Sequence, residues 1–197
     1  MVATLFVCTV AAVAGFFAWV AHRIGGTRAS VVVLAAMAAW LALTGALAST
    51  LGVRMVPVAA IATLSLGISP WGRRLVDAVP LRVLVGYQAF RIPVGLALFG
   101  LWKAGVVPVA MTFEGRNFDV LTGLSALAIA AARPGPAVVA VWNAMGFALL
   151  ANIVIISIRS LPENQVPSTF PWVWLPVFLV QAALLGHVLV VRALTQR

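Results

Sequence analysis

Residues 2–21 read VATLFVCTVAAVAGFFAWVA, a run without one charged side chain. A bilayer core of roughly 30 Å needs about 20 apolar residues in a helix, so this stretch has the length and composition of a membrane span. The rest of the chain repeats the pattern. Of 197 residues, 63% are hydrophobic and 9% charged, with a mean hydropathy of +1.12. Soluble domains carry about 25% charged residues, enough to cover a surface facing water. This chain lacks that cover and is expected to be all-α: a polytopic transmembrane helical bundle forming a single integral membrane domain over 1–197.

Outward from the first run, further apolar segments occupy 30–52, 56–70, 80–105, 118–132, 137–158 and 173–194. That makes about seven spans, or six if one of the short ones, the third or fifth, stops within the bilayer. No internal repeat stands out, so nothing supports an inverted-repeat transporter. Arg23 follows the first run instead of preceding it, and Ala18-Trp19-Val20-Ala21 is a poor cleavage site; the first helix is expected to be retained.

The net charge of +9 would suggest nucleic acid in a soluble protein. Here the basic residues stand singly at the ends of apolar runs, which is a topology signal, and no nucleic-acid partner is expected. With seven spans, Arg23, Arg28, Arg73, Arg74, Arg82, Arg133, Arg192 and Arg197 share one side. Arg54, Lys103, Arg116 and Arg159 share the other. The richer side is expected to be cytoplasmic, with the N-terminus outside and the C-terminus inside. The long connection 161–172, with Pro162, Pro167 and Pro171, then lies outside and ends in the aromatic anchor Phe170-Pro171-Trp172-Val173-Trp174. Ala38, Ala42, Gly45, Ser49 and Gly52 line one face of the second run, a stripe that suits close helix packing.

Against this apolar background, Met111-Thr112-Phe113-Glu114-Gly115-Arg116-Asn117-Phe118-Asp119 gathers polar groups between two spans, and Arg91 lies inside the span before it. Ionisable groups at such depth are costly and mark functional sites by default. Tyr87, Gln88 and Arg91 fall on one helical face, and Arg91 sits about 13 Å of rise beyond Arg82, near the midplane. Pro93 frees the carbonyl of Ala89 and favours a kink there. Because arginine cannot shed its proton, Arg91 needs an anion. Glu114 and Asp119 are the candidates, and with Arg116 they would make a neutral four-charge network. Asn117 and Asp119 also suit the start of the fifth helix as cap and first-turn acid. His187 and Asn143 are secondary candidates, each explicable as an interhelical hydrogen-bonding group. Asn143 and Asn152 face opposite ways, and Gln181 diverges from His187 by about 120°.

The 111–119 stretch resembles an MTF-x-GRNFD motif carried by a family of uncharacterised bacterial multi-pass membrane proteins, where it follows a helix with an internal arginine. Trp142-Asn143, Trp174-Leu175-Pro176 and His187 extend the resemblance over roughly Tyr87 to Arg192. The chain departs from the pattern at Val94-Gly95, where an acidic residue is expected, so the arginine must find its carboxylate elsewhere. The resemblance implies a bacterial inner membrane but transfers no activity.

Several chemistries fail on inventory. The lone Cys8 excludes multi-cysteine metal sites, the last span has no lysine for a retinal, and HExxH and Walker A signatures are absent. No metal or cofactor is expected; a haem would depend on His187 with His22, and a quinone ring on Tyr87, Gln88 and His187. The leading expectation is a small transporter, permease or other ligand-binding bundle for a polar or anionic molecule. The alternative is a non-catalytic accessory or assembly subunit that binds a membrane protein or a second copy of itself. A third is an enzyme acting on lipid or isoprenoid head groups, for which no catalytic residue can be named.

Overall fold

The computed structural model describes residues 1–161 and 163–196; Pro162 of the long connection and Arg197 of the orientation count lie outside them. The described residues are 82% helical with no strands. In chain order the helices are α1 (Val2–Ala46), α2 (Met55–Ile68), α3 (Pro70–Ala78), α4 (Leu81–Gly86), α5 (Arg91–Lys103), α6 (Asp119–Ala132), α7 (Pro136–Arg159) and α8 (Val180–Thr195). Four helical stretches are long and apolar enough to cross a membrane: Val2–Ala46, Leu81–Lys103, Pro136–Arg159 and Leu175–Thr195. The pair Gly52–Ile68 and Pro70–Ala78, bent by 68°, makes a fifth if taken together.

Helix α1 is not a straight rod. Gly25 (φ −142°, ψ 21°) and Gly26 (φ 68°, ψ −163°) are not helical. Phe6 packs on Trp172 at 4.9 Å, while Gly45 lies against the rings of Phe170 and Trp174. Both ends of α1 therefore lie beside residues 170–174, and the chain doubles back at the glycine pair into arms 2–24 and 27–46. The second arm stops at Ala46, short of the expected 52, because Thr50 turns its hydroxyl onto the Leu47 carbonyl and Gly52 takes a positive φ of 42°. Its packed face is Met37, Trp40, Leu41 and Thr44, with Trp40 Nε1 donating to Val177 O at 3.1 Å. From the expected stripe, Ala38, Ala42 and Ser49 face outward. Gly45 alone of that stripe meets the aromatic anchor.

Proline and serine set the breaks elsewhere. Ser69 Oγ accepts from the N–H groups of Trp71 and Gly72, and Pro70 stands in the first turn of α3, so α2 ends and α3 starts in a new direction. A 3-10 turn, Tyr87–Phe90, joins α4 to α5, just where Pro93 withholds the N–H that the Ala89 carbonyl would take. A π turn, Leu175–Leu179, opens the last helix at Pro176, and Gln181 Nε2 donates to the Pro176 carbonyl at 2.9 Å. Helix α6 runs antiparallel to α4–α5, with Val120 opposite Gly95 and Ala130 opposite Gly86. It starts level with the middle of α5, so residues 104–118 fill the space above it.

Gly26 occupies a backbone region that is essentially glycine-only, where a side chain costs about 1–3 kcal/mol. Gly26→Ala is expected to lower the melting temperature of the purified protein. Gly15→Ala, where a Cβ would meet nothing within 4 Å, is expected to be neutral or slightly stabilising.

Candidate functional site

The 3-10 turn and first residue of α5 place Tyr87, Gln88 and Arg91 toward α8. Arg91 is 2% exposed, and Gln88 and His187 are both 0%. A guanidinium so buried must spend its N–H groups on protein acceptors. Nε–H donates to Gln88 Oε1 at 3.1 Å. Nη1 donates to Asp119 Oδ1 at 2.6 Å and to the Gly146 carbonyl at 3.4 Å. Nη2 lies 2.8 Å from His187 Nε2. Helices α5, α6, α7 and α8 thus meet at one side chain.

Arginine can only donate, so His187 Nε2 must accept. The imidazole is then neutral, with its proton on Nδ1. Nδ1–H donates to Asn143 Oδ1 at 2.8 Å, and Asn143 Nδ2 donates back to the His187 carbonyl at 3.3 Å. One cation, one carboxylate and one neutral ring make a charge-balanced cluster, the form a low-dielectric interior tolerates.

Two carbonyls of α8 complete it. Gln88 Nε2 donates to Ala183 O at 3.2 Å, and the Tyr87 hydroxyl donates to Ala182 O. The Tyr87 ring stacks on Phe16 at 4.6 Å and 5°. This approach requires Gly186, where a Cβ would collide with Gln88 Nε2 and the Tyr87 hydroxyl. Gly146 has the same role on α7: a Cβ there would lie 2.7 Å from both His187 Cε1 and Thr122 Cγ2. Gly123 lets α6 reach Arg91, with its Cβ direction 3.2 Å from Arg91 Cβ. Sequence reading missed these three glycines, although glycine in an apolar helix is itself a sign of close approach. It also missed Thr122, whose buried Oγ1 has no hydrogen-bond partner.

The 111–119 stretch divides. Asp119 joins Arg91, its side chain 14% exposed. Asn117, buried, braces the loop: its Nδ2 donates to Met111 O at 2.9 Å and its Oδ1 accepts from the Asp119 N–H at 3.1 Å. Glu114 and Arg116 are exposed, and Arg116 contributes only backbone groups: its N–H donates to Ala110 O at 3.3 Å and its carbonyl accepts from Asn152 Nδ2 at 2.8 Å. The four-charge network is therefore one ion pair. Gly115 turns so tightly over Val109 and Ala110 that the loop carries residues 114 and 116 outward. Gln181 stands apart from the cluster, with its Oε1 buried and unpartnered.

Beside the ion pair lies a cavity of about 40 Å³, bounded by Arg91, Asn117, Asp119 and Gly95. It has room for a water molecule and little more. The larger space, about 620 Å³, is apolar and lies between the two arms of α1, α2, α3 and α8. Among the described residues, no three His, Cys, Asp or Glu side chains gather as a metal site. Both ring nitrogens of His187 are already engaged, and His22 is exposed near the break in α1.

A family signature described as a domain of unknown function, DUF8737, matches residues 47–195. No curated protein and no solved structure matches the chain.

Gly146→Ala is expected to cost about 1–3 kcal/mol by overpacking, visible as a lower melting temperature, whereas Gly135→Ala, with nothing within 4 Å of its Cβ, is expected to change little. His187→Phe strips one acceptor from Arg91 and a donor from Asn143 Oδ1. Its expected cost is about 1–3 kcal/mol, read by the same thermal melt.

Proposed function

The chain belongs to the DUF8737 family, and we propose that it is an integral membrane protein in which the Arg91 cluster locks the helices together instead of handling a substrate. The observation that carries this is how far protein groups occupy Arg91, with four hydrogen bonds to its five N–H groups. All three of its nitrogens are bonded, to Gln88, Asp119, Gly146 and His187, beside a cavity of about 40 Å³. Small-molecule sites enclose roughly 300–1,000 Å³. The geometry supports a non-catalytic accessory or assembly subunit over a permease whose substrate passes Arg91. Placement in a bilayer rests on the apolar helices. The chain alternates between an end bearing Arg23, Arg28, Arg73, Arg74, Arg82, Arg133 and Arg192 and an end bearing Arg54, Lys103, Arg116 and Arg159. We place the first end in the cytoplasm of a bacterial inner membrane, with the N-terminus outside and seven passes.

A second reading, passage of protons along the Asp119 side, draws on one observation: the Asp119 side chain is 14% exposed whereas that of Arg91 is 1% exposed.

Removing one partner of a buried ion pair costs about 3–5 kcal/mol, while replacing both by apolar groups is often neutral. In the locking role, Arg91→Leu is expected to melt well below the unaltered protein in detergent, and Arg91→Leu with Asp119→Leu to recover most of the loss. An unchanged melt for Arg91→Leu, with loss of a co-extracted small molecule in native mass spectrometry, would make the cluster a ligand site instead.

A further inference from the structure

The large apolar space has one wall from the second arm of α1 (Ala29, Trp40), one from α2 (Val58, Leu66), an end at Trp71 of α3 and a back at Leu185 of α8. None of its lining residues is charged. From Ala29 to Trp40 the slot extends about 16 Å at helical rise. The slot holds about 620 Å³. A slot of this length with an uncharged lining suits a hydrocarbon chain.

The two ends of the slot differ in charge. At the Trp40 end Ala48, Met55, Val173 and Val177 close it with apolar contacts. At the other end α1 breaks and α2 bends into α3. Three arginines there each stand one residue before a lining residue: Arg23 before Ile24, Arg28 before Ala29 and Arg74 before Leu75. The Arg74 guanidinium lies 4.5 Å from the centroid of Trp71. Asp77 is the only acid nearby and faces Arg73 at 3.9 Å. Glu114, Asp119 and Glu163, the remaining acids of the chain, belong to the Arg91 cluster and the loops of the opposite end. An apolar slot with an unbalanced cationic rim complements an amphiphile with an anionic head.

We propose that the slot binds one hydrocarbon chain of an anionic bilayer lipid, with the lipid phosphate held at the rim by Arg28 and Arg74. The inference rests on the membrane placement above. Short helix α3 suits such a rim: Trp71 and Leu75 face the slot while Arg73, Arg74 and Asp77 are turned to the surface, the division of an interfacial amphipathic segment.

The test is native mass spectrometry of the full chain, extracted mildly from vesicles of equal phosphatidylglycerol and phosphatidylcholine bearing the same acyl chains. One retained phosphatidylglycerol per protein is expected, favoured about tenfold over phosphatidylcholine. Arg28→Ala with Arg74→Ala, both at exposed positions, is expected to bring the ratio close to one. Ala36→Phe and Ala62→Phe fill the slot from opposite walls, and either folded variant is expected to lose the retained lipid of both classes. Equal retention of the two lipids by the unaltered protein, an unchanged ratio in the arginine double variant, or a second copy of the chain in place of lipid would each overturn the proposal. Release of the protein from native membranes by carbonate would instead overturn the membrane placement itself, so the two failures are distinguishable.

Discussion

A guanidinium cannot escape burial by giving up its proton, and the packing of this molecule follows from that constraint. Arg91 sits where four helices meet because a single helix cannot offer enough acceptors. Asp119 supplies the charge, while Gln88, Gly146 and His187 supply the remaining acceptors. Each of these groups has its own support. Asn143 selects the tautomer of His187, and Asn117 holds the first turn of α6. The glycines at 123, 146 and 186 are then necessary, because hydrogen bonds of this length need backbones closer than a Cβ permits.

Polarity and open space are separated in this fold. The polar cluster is closed, with bonds on every nitrogen of its one cation, and the sizeable space is apolar. Buried charge is concentrated at Arg91, where little room exists. Room is concentrated in the slot between the second arm of α1 and α2. The two spaces meet on α8, which turns Ala182 toward the slot with its side chain and toward Tyr87 with its carbonyl.

Much of the helical pattern was legible in the sequence, since long apolar runs leave few alternatives, and the common face of Tyr87, Gln88 and Arg91 followed from helical periodicity alone. The pairing of Arg91 was only half legible. Both Glu114 and Asp119 lay within reach on paper, and the choice between them depends on the tight path of Gly115, a loop property that no periodicity encodes. His187 and Asn143 were visible as isolated polar groups, yet their association with Arg91 is a tertiary fact that a lone histidine in an apolar helix does not announce. The slot was not legible at all. Its lining is ordinary hydrophobic sequence, and emptiness arises only from how far apart two helices are held.

Helix α6 is 14 residues long, about 21 Å, against a hydrocarbon layer of roughly 30 Å. A bilayer around this molecule would meet a deficit of about 9 Å on that one flank, where loop 104–118 stands in place of helix. Lipid there would have to thin, or the headgroup region would follow the loop inward. The electrical depth of Asp119 would then be set by the local membrane surface and not by its position at the start of α6. Two flanks of one molecule would then impose different thicknesses on the lipid around it.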